Sequence, residues 1–326
     1  MITLINPANQ RALQKKEQGY IDAQGSFFPL VNGVLRLVFE SNYTDSFGFQ
    51  WNKFQKTQID KENTNILYSK SRFFAETNWN EEDLTGKNVL EVGSGAGRFT
   101  QIVLDYTKAN LYSVDYSDAV SANFRNNGHH GDRLKLFQAS VYEMPFPDNA
   151  FDKVFCFGVL QHTPDFKRSV KCLIDKAKPG AEVVVDFYPI NGWWTKLHAK
   201  YIFRPFTKNI SSEKLLLMIG RNVGWLMKLS SFFDTIGIGK IVNRFLPICD
   251  VKGTLPKNLS KKALREWVIL DTFDMFSPEH DHPQKLSTVA NWFREYGMKV
   301  TFAGVVTYGD NFKATVVKGI KNEIVF

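Results

Sequence analysis

Asn88-Val-Leu-Glu-Val-Gly-Ser-Gly-Ala-Gly-Arg-Phe-Thr100 runs an apolar strand into three alternate glycines and then into a helix-compatible segment. Such a strand-to-helix turn predicts an α/β fold with a ligand-cradling loop. A side chain at Gly93, Gly95 or Gly97 would hold a ligand off the backbone or forbid the positive φ that so tight a turn tends to need. The spacing separates this turn from one well-known class. A dinucleotide fingerprint, G-x-G-x-x-G, would put its third glycine at position 98, but Arg98 stands there and Gly97 comes one residue early.

Working outward, strand and helix patterns alternate. Leu111-Tyr-Ser-Val-Asp115 reads as a second strand, Leu134-Lys-Leu-Phe-Gln-Ala-Ser140 as a third, Phe151-Asp-Lys-Val-Phe-Cys-Phe157 as a fourth and Ala181-Glu-Val-Val-Val-Asp-Phe-Tyr188 as a fifth. Lys285 to Tyr296 reads as a helix ended by Gly297, and Met298–Thr307 with Asn311–Gly319 as a closing hairpin. Asp115 ends its strand 22 residues after Gly93. A carboxylate there can accept hydrogen bonds from both hydroxyls of a ribose, and Tyr116 can stack beside a base.

Composition bounds the rest. The 326 residues suit one α/β domain with appendages, and 44% apolar residues support a real core. Cys156, Cys172 and Cys249 have neither metal-like nor paired spacing, which predicts a disulfide-free chain in a reducing, cytoplasmic compartment. Neither a leader-like start nor an apolar run of about 18 residues is read. Between Phe187 and Arg265 there are 14 Lys and Arg against three acids, a local +11 in a chain of net +8, so the remainder carries −3.

Glu91-x-Gly93-x-Gly95-x-Gly97 resembles motif I of the Rossmann-like, class I S-adenosylmethionine-dependent methyltransferases. The run Pro145-Phe, Phe151-Asp and Leu160-Gln-His-Thr-Pro-Asp165 resembles their small-molecule type, which includes the quinone-pathway enzymes, over about residues 86 to 190. The resemblance implies a seven-stranded, mostly parallel, doubly wound sheet with a reversed last strand. It implies S-adenosylmethionine as cofactor, held by Glu91, Gly93, Gly95, Gly97, Asp115, Tyr116, Ser140, Val141 and Phe157. An acid beside the turn suits a ligand with a cationic sulfonium and ammonium. Ser140 stands where many relatives carry Asp; a hydroxyl can still accept the bond from adenine. His162, at the end of strand four, is read either as a general base or as a residue that caps the following helix.

Phe28-Pro-Leu-Val-Asn-Gly-Val-Leu-Arg36 resembles the end of a zinc-ribbon module that precedes some bacterial methyltransferases. Its thiolate positions are here Asn6, Asn9, Ile21 and Gln24, so a metal-free β module over 1–45 is expected. An aromatic helical linker over 46–85 follows, in which Ile66 to Thr77 reads as a helix and Gln50 and Trp51 share one face that can roof a ligand. The methyltransferase domain is expected over 86–190 and 266–326, and a basic helical insertion over 191–265, between strands five and six. That insertion reads as a lid over an anionic acceptor, as an amphipathic surface on an anionic membrane, or as a solvated face. His280 and His282 lie in a loop expected to touch substrate, and no metal site is expected.

The expected activity is methyl transfer from S-adenosylmethionine to a small-molecule or glycan- or lipid-linked sugar acceptor. Two other readings are a non-catalytic binding relative and an RNA methyltransferase. Against RNA, no Asn/Asp-Pro-Pro-aromatic signature follows strand four; DNA is not an expected partner, and the sequence leaves the oligomeric state open.

Overall fold

The computed structural model describes residues 2–60, 67–257 and 259–323. Eleven strands are named here in chain order. β1 is Gln14–Lys16, β2 Gly19–Ile21, β3 Phe27–Val31 and β4 Val34–Arg36. β5 is Asn88–Val92, β6 Asn110–Asp115, β7 Leu134–Gln138, β8 Phe151–Cys156 and β9 Ala177–Phe187. β10 is Met298–Tyr308 and β11 Phe312–Lys321. They form one sheet in the order β1-β2-β3-β4-β7-β6-β5-β8-β9-β11-β10.

Its centre is the expected α/β sheet. β7, β6, β5, β8 and β9 are parallel, and β11 runs antiparallel between β9 and β10. The central strands are near-continuous apolar runs because helices cover both their faces, which leaves no wet side to alternate toward. On one face Ile102 and Val103 of the helix Arg98–Tyr106 pack with Phe73 of the helix Tyr68–Thr77. On the other, Val170 and Leu173 of Phe166–Lys176 pack with Val289 and Phe293 of Leu286–Glu295. Strand order reverses at β5, between β6 and β8, which opens a crevice at the carboxyl ends of these strands.

The amino-terminal strands continue this sheet. β4 pairs in parallel with β7, Val34 opposite Leu136 and Leu35 opposite Phe137, and both β4 side chains are buried. Arg36 fastens the junction through Asp118 at 2.8 Å and Gln138 Oε1 at 2.7 Å. At the positions that the resemblance gives to thiolates, Asp22 is the centre of a hydrogen-bond cluster. Asn6 Nδ2 and Asn9 Nδ2 donate to its Oδ2 at 2.7 and 2.8 Å, and the amides of Gln24 and Ser26 donate to Oδ1 at 2.8 and 2.9 Å. The Asn9 and Asn6 bonds hold the Asp22 carboxyl well below the usual carboxylate range. Ile21 takes no part and pairs with Gln14 and Phe27 in the strands.

The helix that contains Arg72 is Tyr68–Thr77; Ile66, its expected start, lies outside the described residues. Between β9 and β10 lie the helices Ala199–Thr207, Ser212–Thr235 and Lys261–Phe276, with shorter turns among them. Residue 265, the expected end of the insertion, falls inside Lys261–Phe276, which carries Trp267, Leu270 and Phe273 into the core.

Candidate active site

A cavity of about 680 Å³ occupies the crevice and extends beneath the 191–276 helices. Its floor is the glycine turn. Gly93, Gly95 and Gly97 have φ of 81°, 53° and 87°, which L side chains rarely adopt. They serve different ends. A Cβ on Gly93 would overlap the Val159 side chain, and one on Gly97 would overlap Asn123 and Asn127, so these two glycines let the protein pack against its own turn. At Gly95 the nearest atom would be Trp51 Nε1, 3.2 Å away on the helix Asp45–Lys53, and both residues line the cavity. Gly97 is not on the cavity wall.

Asp115 is on the wall, at the tip of β6. Its Oδ2 accepts the Gly95 amide at 2.8 Å, while Oδ1 accepts the amide and hydroxyl of Ser117 at 2.9 and 2.7 Å. Burial raises its pKa, and the Ser117 and Gly95 bonds work against that rise. Tyr116 lines the cavity with Tyr43, their ring centroids 5.4 Å apart, and Val141 and Phe157 add an apolar wall.

Two residues expected beside the cofactor do not line the cavity. Glu91 is 2% exposed, accepts hydroxyl bonds from Thr100 at 2.5 Å and Ser113 at 2.9 Å, and does not line the cavity. Burial pushes its carboxyl up to about 7. Its place on a strand buried on both faces turns it under the sheet, where it ties β5 to β6 and to the helix after the turn. Ser140 does not line the cavity either; its Oγ accepts the Tyr142 amide at 3.2 Å, and its neighbours Ala139 and Val141 form the wall.

His162 lines the cavity and is 5% exposed, between the rings of Phe47 at 5.2 Å and Tyr188 at 5.8 Å. Its Nδ1 lies 3.0 Å from the carbonyl oxygen of His280, so Nδ1 carries the proton and Nε2 is left as an acceptor. Burial lowers its pKa, which keeps the ring neutral near pH 7. The rings of His280 and His282 are not on the wall. Their backbones matter instead, since the His282 amide donates to Gln161 O at 2.7 Å and the His280 carbonyl orients His162.

Between these two histidines, Asp281 changes the reading of the basic segment. Its side chain, 3% exposed, pairs with Lys200 Nζ at 2.6 Å and Arg204 Nη1 at 2.5 Å. Arg204 also donates from Nε and Nη2 to the Met275 carbonyl at 2.9 and 2.6 Å. Both cations belong to the insertion for which a lid over an anionic acceptor is one of three readings. A single carboxylate from a loop about 80 residues away holds both and offsets one of their two charges, and Lys200 lines the cavity as well.

Several wall residues were not foreseen. Arg98 donates from Nε to Ser69 Oγ at 2.7 Å and from Nη1 to Gln58 Oε1 at 3.1 Å, and its buried Nη2 has no partner. Its signal was its place directly after the third glycine, at a helix amino terminus that favours anions. Gln50, which was expected with Trp51 to roof a ligand, lines the cavity, is 1% exposed and leaves Oε1 unpartnered. Arg72 binds Glu76 Oε1 at 2.6 Å and also Asp186, which accepts the Gly158 amide. Asp271 and Asp274, one turn apart on Lys261–Phe276, face the cavity from the insertion side, and burial, then Asp274, pushes Asp271 up to about 8.

Residues 90–185 match the family model described as a methyltransferase domain. Over 112 residues the chain is 33% identical to a tRNA U34 carboxymethyltransferase of Nautilia profundicola, covering 34% of this chain and 37% of that protein. Over 220 residues it is 29% identical to a sterol 24-C-methyltransferase of Pneumocystis carinii, covering 54% of this chain and 58% of that one. The chain thus matches less than two thirds of the length of either. A solved magnesium protoporphyrin IX methyltransferase of Synechocystis PCC 6803 aligns with 86% of this chain and 97% of its own at 13% identity and a TM-score of 0.46. The matched family segment contains the glycine turn, Asp115 and His162, and it stops before residue 191.

Proposed function

We propose that this chain, whose residues 90–185 match a methyltransferase domain, transfers the methyl group of S-adenosylmethionine to a small-molecule acceptor bound beneath the 191–276 helices. One observation carries the reading: a single cavity joins the glycine turn and Asp115 to His162 and the Asp271–Asp274 pair.

The wall suits the cofactor. Asp115 is anchored by the Gly95 amide on Oδ2 and by the Ser117 amide and hydroxyl on Oδ1, which leaves one lone pair on Oδ2 for a ribose hydroxyl and a second on Oδ1 when the Ser117 hydroxyl turns away. Tyr116 offers a face for adenine, and the unpartnered Nη2 of Arg98 suits the methionyl carboxylate. Bound S-adenosylmethionine supplies an electrophilic methyl on a sulfonium. The chain's own part is to hold the acceptor's nucleophile in line with that methyl in a site shielded from water, which can lower a barrier by about 7 to 11 kcal/mol. His162 Nε2 would take the acceptor's proton as the acceptor attacks the methyl that the bound cofactor would supply.

Within that class we favour a hydroxyl-rich acceptor, such as a sugar on a lipid carrier. Asp274 can accept hydroxyl bonds and the Asp271 carboxyl, pushed up to about 8 by burial, can donate one as well as accept, whereas Lys200 and Arg204 share Asp281 as their partner.

Calorimetric titration of Asp115→Ala with S-adenosylhomocysteine tests the cofactor end. Loss of one to two charge-assisted bonds, each about 1.5 to 3 kcal/mol, predicts affinity lower by on the order of 100-fold with the fold intact. Unchanged affinity would sink the assignment. Cofactor binding without transfer of labelled methyl to any sugar, lipid or amine acceptor would favour a binding protein, and steeply salt-dependent binding of RNA would favour an RNA acceptor.

A further inference from the structure

We infer that the outer face of the 193–245 segment is a docking surface for an anionic lipid bilayer, on which the protein rests without crossing it.

Apolar surface is concentrated there. Of the 22 large hydrophobic side chains exposed among the described residues, 14 lie between Trp193 and Phe245. A globular surface scatters such residues singly along the chain, whereas here they crowd one segment that is also rich in cations, a composition that marks an interaction site. Trp193 and Trp194 stack on each other at 3.8 Å and remain 69% and 59% exposed, while Phe206 is 74% and Ile241 70% exposed. Arg244 donates to the carbonyls of Trp194 and Leu197, so the tryptophan loop is held in place rather than left to fold back.

The helix Ser212–Thr235 makes the chemistry specific. Leu215, Ile219, Val223, Leu226 and Ser230 fall on one side and are buried. On the opposite side, at three- and four-residue steps, stand Lys214, Met218, Arg221, Trp225, Lys228 and Phe232, all exposed. Cation and large apolar side chain alternate along this stripe, and no acid interrupts it. None of its three cations forms an ion pair among the described residues. A protein partner would be expected to supply acids to a few of them, whereas a leaflet of anionic headgroups over acyl chains matches every position: cations at the phosphates, Trp and Phe at the boundary, aliphatic tips below. No helix among the described residues is long and apolar enough to cross a membrane, in keeping with a helix lying in the interface plane. The same insertion contributes Asn191, His198 and Asp250 to the cavity wall, so docking would bring the acceptor end of the cavity to the bilayer.

Vesicle binding is read without turnover, so this inference stands or falls apart from the methyl-transfer reading. The full chain is mixed with vesicles of phosphatidylcholine alone and of phosphatidylcholine with phosphatidylglycerol at three to one, then sedimented. The expected result is binding to the anionic vesicles only, weakened by salt, with a blue shift of tryptophan emission. Replacing Lys214, Arg221 and Lys228 together by Ser should lower partitioning by on the order of 100-fold, since each cation near such a surface is worth about 1 kcal/mol. Trp193→Ser with Trp194→Ser should abolish most of the blue shift. Circular dichroism of each variant separates a lost surface from a lost fold. If the unaltered chain stays in the supernatant with both vesicle types, the inference is overturned. A stable dimer that shields these tryptophans from quenchers and ignores vesicles would overturn it too, and would assign the face to a second copy of the chain.

Discussion

The two ends of the cavity are built by opposite rules. At the glycine-turn end, backbone geometry decides which residues can stand where, and partners are local: Asp115 meets Gly95 and Ser117. At the insertion end, partners come from afar, and the charge that matters is decided by a contact between Arg204 and Asp281 that no short window contains. Apolar side chains are likewise buried around the turn and left exposed along 193–245. The difference teaches that a sum of charges over a segment predicts a field only when its members stay unpaired.

The largest test of this contrast is Asp281→Ala. It leaves Lys200 and Arg204 buried without a counterion, and breaking such a pair costs about 3 to 5 kcal/mol. Urea unfolding should show that loss, and adding Lys200→Met with Arg204→Met should recover most of it. A loss below about 1 kcal/mol would mean the insertion's cations are free after all and restore their reading as an anion lure.

At the other end the turn can be split. Gly93→Ala should destabilise by about 3 kcal/mol, through left-handed strain and overlap with Val159. Gly95→Ala meets only Trp51 Nε1 at 3.2 Å and should cost about 1 kcal/mol of stability, yet lower affinity for S-adenosylhomocysteine at least tenfold, roughly the worth of 1.4 kcal/mol. Equal effects on stability and affinity at the two positions would erase the distinction.

A further test sits at His162, where the two ends meet. Burial lowers its pKa below 6.5, so a base at this position is already deprotonated at neutral pH. Turnover should be flat above that value and fall only on acidification, as the ring gains a proton. His162→Gln should remove the acidic limb and slow turnover by about 100-fold, with cofactor affinity unchanged. A variant that keeps the same acidic limb would make His162 a positioning residue only.

Much of this was legible because the information is local. Alternating glycines after an apolar strand, and Asp115 at the end of the next strand, state their geometry within about 30 residues, and the central sheet followed from them. The departures from the expected wall have local and long-range sources. Glu91 lies next to a wall residue in sequence, but a strand sends neighbouring side chains to opposite faces and Glu91 belongs to the face turned away; Ser140 lies in the loop after β7, where its hydroxyl accepts the Tyr142 amide. Lys200 and Arg204 carry charge in any sequence; only tertiary folding brings Asp281 to them. Arg98 was visible as a misfit to the dinucleotide spacing, and its unpartnered Nη2 becomes apparent only once Gln58 and Ser69 are placed around its other nitrogens.

The pairing of β4 with β7 sets an order of events during synthesis. Val34 waits for Leu136, about a hundred residues later, and at about 5 to 20 residues per second that is a delay of several seconds. In the interval β1 to β4 have only their own hairpins and the Asp22 cluster to hold them. When β7 emerges, its outer edge offers unpaired amides and carbonyls to whatever strand is nearest. A chain lacking its first 36 residues would therefore tend to meet another copy of itself at that edge, and its yield should fall through aggregation during expression more than through lost stability of whatever folds.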